Sequence, residues 1–214
     1  MISLKSLPAV LWIVLLACCL PELVLQGVDH GLFGSARWRP LAYQNAGFWA
    51  GLLRNWQPNY PAQPFTMFVT YAFLHAGFVH LLGNMVMLLV VAPVVIARFG
   101  ARGFALIYAG SILGGGLSFG LLSASPSPMI GASGAISGLI GAVIVAQFSQ
   151  GSGSQRYVVA LVQIGGLVAL NLVSWWLEGG VLAWQTHLGG CLAGIGLGGL
   201  LLAIGERRAS QNRP

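Results

Sequence analysis

The sequence predicts an all-α polytopic membrane protein, a bundle of six transmembrane helices. Only 7% of its 214 residues are charged and 57% are hydrophobic, whereas a soluble domain carries about 25% charged residues. Apolar stretches recur along the chain, and each approaches the roughly 20 residues that a helix needs to cross the hydrocarbon core. We interpret residues 1–214 as a single membrane domain with six such stretches, at 8–26, 74–97, 102–123, 132–149, 157–177 and 184–204.

The first apolar stretch shares some features with a signal peptide, because Lys5 precedes it. Pro21 and Glu22 interrupt its end, however, and no cleavage site of small residues is evident. We therefore interpret this stretch as a retained first span.

Residues 27–66 are predicted to form a membrane-associated extracytoplasmic loop. The segment is rich in Trp, Tyr and Phe, and Trp and Tyr favour the membrane–water interface. Within it, residues 46–55 are expected to form a short helix that lies in the interface; the alternative is an ordinary extracytoplasmic loop. Pro58, Pro61 and Pro64 are expected to keep the chain extended up to the second span.

Glycine repeats every four residues in two of the later spans. Gly134 and Gly138 have this spacing in the fourth span, and Gly190, Gly194 and Gly198 have it in the sixth. Small residues at this spacing let helix backbones approach closely in lipid. The pattern predicts tight helix packing, which is common to transporters, channels and enzymes.

The basic residues predict the orientation of the chain. The net charge of +6 comes from residues scattered at the ends of spans, a pattern that does not indicate a nucleic-acid partner. With a cytoplasmic N-terminus, most of them fall on the cytoplasmic side and only Arg37, Arg39 and Arg54 fall outside. The positive-inside rule then predicts that both termini, including a polar tail at 205–214, are cytoplasmic in a plasma membrane of the bacterial type.

Ser133 is the candidate nucleophile. It lies in GASGAISG (131–138), between Gly131 and Gly134, where a proline-containing segment gives way to an apolar helix. The start of a helix presents unpaired N–H groups and the positive end of the helix dipole to an oxyanion. The alternative is that Ser133 is a small residue used for helix packing.

Three further polar residues lie in apolar stretches, where a functional role is the default hypothesis. His187 is the candidate general base for Ser133; the alternative is a structurally bonded histidine near the start of a span. His80 and Asn84 share a helix face because they are four residues apart. Both can donate hydrogen bonds to an oxyanion, and polar bonding between helices is the alternative for this pair.

The acidic residues argue against one class of intramembrane protease. The chain has only four, and none lies in the middle of a predicted span, so a paired-aspartate site is not available. No HExxH motif occurs, so no zinc site is predicted, and we predict no cofactor. Haem ligation by His75, His80 or His187 stays open, but it would leave the glycine-framed serine unexplained.

Three segments in order along the chain resemble the signature motifs of the rhomboid intramembrane serine proteases: FLHAGFVHLLGNM (73–85), GASGAISG (131–138) and HLGGCLAG (187–194). The resemblance covers about residues 66–205 and implies a rhomboid-like six-helix bundle.

The family resemblance also implies the roles of the site residues. Ser133 and His187 would form a catalytic dyad without an acid. His80, Asn84 and the backbone N–H of Ser133 would form an oxyanion hole, which water would reach from the extracytoplasmic side. The implied partners are transmembrane protein substrates in the lipid bilayer, which are cut in or beside a membrane-spanning segment.

The chain departs from the common pattern of this family at Thr66-Met67, Ile96 and Ser137. Many members have a Trp-Arg pair at the first place, Glu at the second and, at the third, an aromatic residue that stacks on the catalytic histidine. The pair Trp38-Arg39 of this chain lies much earlier and is interpreted as not equivalent. We expect the departures to affect stability, histidine orientation and substrate preference rather than the chemistry.

Other functions stay open. An inactive rhomboid-like protein would bind transmembrane clients without cutting them, although the presence of both Ser133 and His187 argues against it. A rhomboid-like sorting protease would act on C-terminal membrane anchors. A small transporter would require an inverted repeat, and no internal repeat is visible.

Overall fold

The protein is helical in the computed structural model, which describes residues 8–177 and 183–211, with the side chains of 8–169 and 183–211. Short 3-10 turns at Ala50–Leu53 and Tyr71–Phe73 lie between the first and the fourth helix. The all-α prediction is confirmed by the helices α1 (Ala9–Asp29), α2 (Trp38–Ala46), α3 (Gln63–Thr70), α4 (Phe78–Leu122), α5 (Ser133–Gln150), α6 (Gln155–Leu177) and α7 (Trp184–Gln211).

Four helices of the described chain are long and apolar enough to cross a membrane, namely α1, α4, α5 and α7. Helix α4 has 45 residues and would be about 68 Å long if straight, roughly twice the thickness of the hydrocarbon core. Gly100 interrupts it near the middle with φ 72° and ψ 174°, so α4 consists of two helices joined at a kink. Its halves match the second and third predicted spans, and α6 matches the fifth; the count of six spans stays a prediction.

Helices α5 and α7 run parallel and are in backbone contact through their glycines. A Cβ atom added to Gly190 would collide with the carbonyl oxygen of Gly134, and one added to Gly194 would collide with that of Gly138. The contact continues one turn further at Gly198. The close packing predicted from the glycine spacing is therefore confirmed.

The C-terminal half of α4 packs against both of these helices. It runs antiparallel to α7, where a Cβ on Gly114 would lie 2.9 Å from the carbonyl oxygen of Gly189. It meets α5 at Ser111, which is fully buried and whose hydroxyl occupies the space that a Cβ on Gly138 would need. These three helices form the centre of the bundle.

The short helix predicted at residues 46–55 is confined to the 3-10 turn at Ala50–Leu53. Helix α2 ends at Ala46. Phe48 then forms an isolated antiparallel bridge with Met129, and the 3-10 turn begins at Ala50. The backbone N–H of Phe48 donates to Met129 O at 3.0 Å, and that of Met129 donates to Phe48 O at 2.9 Å. Because these groups bond to a distant segment, they cannot continue a helix.

The extended chain predicted around the three prolines is wrong. Helix α3 begins at Gln63 and has Pro64 in its first turn, where the missing N–H of proline would have had no partner within the helix. The side chain of Gln63 closes this turn by accepting a hydrogen bond from the backbone N–H of Asn59 at 2.7 Å.

Phe48 anchors the segment between α1 and α4 in the bundle. Its ring is fully buried and makes edge-to-face contacts with Phe68, Tyr71 and Phe119, at centroid distances of 4.9, 5.9 and 5.8 Å. Each such pair stabilises a fold by about 0.5–1.5 kcal/mol beyond the area that it buries. Phe48 thus packs inside the bundle, whereas Phe33, Trp38, Trp56 and Phe65 of the same segment are exposed.

Glu22 introduces a buried charge into α1. Its side chain is fully buried and receives two hydrogen bonds from the guanidinium of Arg39 in α2, at 2.8 and 2.9 Å. The Nε of Arg39 also donates to Asp29 at 2.6 Å. Removal of one partner from a buried ion pair typically costs about 3–5 kcal/mol, so this pair fastens α2 to the end of α1. No local sequence pattern indicates this pair.

We predict that Gly194→Val destabilises the protein while Gly196→Val in the same helix does not. The new side chain at position 194 meets the backbone of α5, which cannot move aside, whereas nothing lies within 4 Å of a Cβ at position 196. Overpacking usually costs about 1–3 kcal/mol, so the free energy of unfolding in detergent micelles should fall by that amount only for Gly194→Val. Equal stability of the two variants would contradict the close approach of α5 and α7.

Candidate active site

Ser133 is the first residue of α5, as its proline-containing approach predicted. The backbone of residues 129–131 leads into it and is held at two points. Met129 pairs with Phe48, and the N–H of Gly131 donates to Tyr71 O at 3.0 Å. Ser133 therefore stands at a helix N-terminus, where unpaired N–H groups and the helix dipole favour a negatively charged oxygen.

His187 is in hydrogen-bond contact with Ser133. Its Nε2 lies 2.7 Å from Ser133 Oγ, although the two residues are 54 positions apart. His187 is in the first turn of α7 and is 8% exposed, while Ser133 is half-buried. The contact between Gly134, the residue after Ser133, and Gly190, three residues after His187, brings the side chains together. A nucleophile and a base within 2.6–3.2 Å is the geometry that covalent catalysis requires.

His80 lies on the other side of the loop that precedes Ser133. It is in the first turn of α4, and a Cβ atom added to Gly131 would be 3.0 Å from His80 Nε2 and 3.8 Å from Ser133 Oγ. The imidazole edge that carries Nε2 therefore faces the loop next to the nucleophile. Gly131 also has a φ of 122°, so both its conformation and this close approach favour glycine.

The tautomer of His80 follows from the hydrogen bond that its Nδ1 atom makes. The backbone N–H of Ala76 donates to His80 Nδ1 at 3.2 Å. A neutral imidazole has one acceptor and one donor nitrogen, so Nδ1 is the acceptor and Nε2 carries the proton. His80 thereby presents an N–H group to the space beside Gly131 and Ser133.

Asn84 lies one turn below His80 on the same helix face, as predicted from the spacing. Its Nδ2 donates to the carbonyl oxygen of His80 at 2.9 Å, and the residue is 7% exposed. Among the residues that the structure describes, no hydrogen bond joins Asn84 to Ser133. Asn84 thus supports the first turn of α4 in this structure. Its role as an oxyanion donor stays a prediction.

His75, considered above only as a possible haem ligand, is a neighbour of the site. It is fully buried, and its ring meets that of His80 edge to face at 5.3 Å. Neither of its ring nitrogens has a hydrogen-bond partner among the described residues. The ring therefore packs against that of His80 and supports it from the side.

Of the positions that depart from the common rhomboid pattern, Met67 and Ser137 are buried, while Thr66 and Ile96 are partly buried. Met67 is fully buried in α3, and Ser137 is buried one turn after Ser133 in α5. Ile96 packs against the core from α4. These side chains are small or apolar and fit the helix contacts around them, so the departures are part of the packing of this chain.

Comparisons with known proteins identify the family of this fold and site. The sequence model of the Rhomboid domain matches residues 62–204. RHOMBOID-like protein 6, mitochondrial, of Arabidopsis thaliana is 33% identical over 137 residues, which are 63% of this chain and 43% of the relative. RHOMBOID-like protein 5 of the same plant is 32% identical over 135 residues, again 63% of this chain and 43% of the relative.

A third relative, RHOMBOID-like protein 4 of the same plant, is 36% identical over 129 residues, which are 60% of this chain and 32% of the relative. The chain thus spans less than half the length of these curated relatives. The matched region contains Ser133, His187, His80 and Asn84. The chain is a membrane protein and belongs to the rhomboid family.

Proposed function

We propose that the protein is an intramembrane serine endopeptidase that cuts transmembrane protein substrates in or near their membrane-spanning segments. The observation that carries the proposal is the 2.7 Å contact between His187 Nε2 and Ser133 Oγ at the N-terminus of α5. Membership of the rhomboid family supports the same chemistry. The names of the plant relatives state no activity.

The proposed reaction begins when Ser133 Oγ attacks the carbonyl carbon of the scissile peptide bond and His187 Nε2 takes the hydroxyl proton. Negative charge then develops on the former carbonyl oxygen. The N–H of Ser133, the Nε2–H of His80 and the amide of Asn84 are the proposed donors to this oxyanion. Collapse of the tetrahedral intermediate breaks the C–N bond, and His187 returns the proton to the leaving amine. Water, activated by His187, then hydrolyses the ester on Ser133.

Asn84 would have to change its hydrogen bond to take part in this reaction. Its amide has two N–H donors, and one of them is bonded to His80 O. The second donor, or a rotation of the side chain, is needed to reach the oxyanion. We therefore expect Asn84 to contribute less than His80 does.

We also propose that both termini face the cytoplasm. The N-terminal ends of α4, α5 and α7 meet at the dyad, and α1 reaches the same end of the bundle through the contacts of Asp29 and Glu22 with α2. The first residues of α1 and the last residues of α7 therefore lie at the opposite end. With the charge asymmetry of the sequence, this geometry supports a site open to the extracytoplasmic side.

The nucleophile can be tested with a fluorophosphonate probe and a panel of single-span reporter substrates. Ser133→Ala should abolish labelling and cleavage, because no other serine has a base at hydrogen-bond distance among the described contacts. Ser137→Ala is the matched control: this serine is buried one turn further along α5 and should keep both activities. Undiminished labelling of Ser133→Ala would refute the assignment. Wild-type protein that binds the reporters without cutting them would favour an inactive, client-binding member of the family.

Loss of activity should be graded across the site. His187→Ala should abolish turnover, and the double variant with Ser133→Ala should be no worse, because the two residues act as a unit. Loss of one oxyanion donor typically lowers the rate by about 10²–10³, so His80→Ala should retain weak cleavage and Asn84→Ala somewhat more. Initial rates on one reporter, with thermal unfolding measured in parallel, check the order. A folded His187→Ala that is faster than Asn84→Ala would remove His187 from the role of base.

Orientation can be tested with reporter fusions in a bacterial host. We expect a fluorescent protein that matures only in the cytoplasm to fluoresce when fused to the C-terminus. A phosphatase that is active only outside should be active when inserted at residues 31–35, in the exposed turn after α1. The reverse pattern would place the site on the cytoplasmic side and contradict the proposed topology.

A further inference from the structure

Arg39 connects three parts of the chain at the edge of the site. Its guanidinium makes the two hydrogen bonds to Glu22 and the one to Asp29 described above. Its Nη1 also lies 3.2 Å from the carbonyl oxygen of His75. The side chain of Arg39 is only 15% exposed. The hydrogen bond with Glu22 is the main cause that raises the pKa of Arg39, so the residue stays charged.

Tyr43 supplies a second donor to the same carbonyl. Its hydroxyl donates to His75 O at 2.8 Å, and Arg39 Nη1 donates to the Tyr43 hydroxyl at 3.0 Å. Arg39 and Tyr43 are one turn apart on α2, so both side chains reach the same carbonyl. Burial raises the pKa of Tyr43, which keeps the phenol protonated and able to donate.

The carbonyl of His75 and the N–H of Ala76 belong to one peptide group, which is planar and rigid. Arg39 and Tyr43 hold the oxygen side of this group, while its N–H donates to His80 Nδ1. Rotation of the peptide plane would therefore move the donor away from the imidazole. Hydrogen bonds to a carbonyl also polarise the peptide and strengthen its N–H as a donor.

We propose that Arg39 and Tyr43 are positioning residues that fix the orientation and tautomer of His80 through the His75–Ala76 peptide group. This inference rests on the proposed function, in which the Nε2–H of His80 faces the oxyanion. Without the peptide N–H on Nδ1, the proton of a neutral His80 would distribute between both nitrogens. The ring could then turn away from Gly131, and the oxyanion would lose a donor.

A structural role alone is the competing explanation, because the ion pair with Glu22 also fastens α2 to α1. The two roles can be separated by one variant that spares the ion pair and one that keeps its positive charge. Tyr43→Phe removes only the hydroxyl that bonds to His75 O. Arg39→Lys keeps a positive charge for Glu22, but a single ammonium group cannot reproduce the planar fork that spans Glu22, Asp29 and His75 O. Tyr60→Phe is the control, since its hydroxyl bonds to Asn45 O and Thr66 within the loop.

The first measurement is nitrogen-15 NMR of the full-length protein labelled at histidine, which has only four imidazoles. In the wild type, the resonances lost in His80→Gln should be those of a neutral ring protonated at Nε2. In the double variant Arg39→Lys, Tyr43→Phe, these resonances should shift toward the average of both tautomers. An unchanged His80 spectrum would overturn the proposal.

The second measurement is reporter cleavage with kcat and KM resolved. We expect kcat of the double variant to fall by about tenfold or more, up to the loss that removal of one oxyanion donor causes. KM should change by less than about twofold, because binding of the substrate in the ground state is retained. Tyr60→Phe should match the wild type. A lower Tm with unchanged kcat and an unchanged His80 spectrum would leave only the structural role and refute the proposal. A rise in KM at constant kcat would also refute it.

The two proposals fail in different ways. If the wild type cuts no reporter and Ser133 takes no probe, the proposed function fails, whereas the NMR measurement still reports on His80. If the wild type is active and the double variant keeps its rate, the proposed function stands and the positioning role of Arg39 and Tyr43 is wrong.

Discussion

The close approach of α5 and α7 is the constraint on which the site depends. Ser133 and His187 lie in the first turns of these helices, so the 2.7 Å between Oγ and Nε2 reflects the spacing of the two helix axes. Gly190 meets the backbone of Gly134, the residue after Ser133, and any side chain at position 190 would separate the helices. In lipid no hydrophobic effect draws helices together, and close backbone packing takes its place.

The segment between α1 and α4 provides the fixed frame for the remaining parts of the site. It is anchored in the bundle by Phe48. From this anchor it holds the approach to Ser133 through backbone bonds to Met129 and Gly131, and it holds the ring of His80 through the N–H of Ala76. Groups from α4 and α5 are thus oriented by a segment that contains none of the four candidate membrane spans found among the described residues.

The buried ion pair stands out in a chain with so few charges. A buried pair is stabilising only with good geometry and additional hydrogen bonds, and both conditions hold for Arg39 and Glu22. The guanidinium binds the carboxylate with two nitrogens and uses a further hydrogen bond on the carbonyl of His75. The pair lies where α1, α2 and the turn before α4 meet, so it sets their relative positions.

The sequence by itself determined the helical class, the tight glycine packing and the residues that meet at the site, because hydropathy, small-residue spacing and ordered motifs are local properties. Only the tertiary structure determined how the segment before α4 folds, that Asn84 bonds to its own helix and which nitrogen of His80 carries the proton. The partners of Phe48 and Arg39 lie far away in sequence, at Met129 and at Glu22 and His75. Such contacts depend on how helices pack in three dimensions, and no local pattern encodes them.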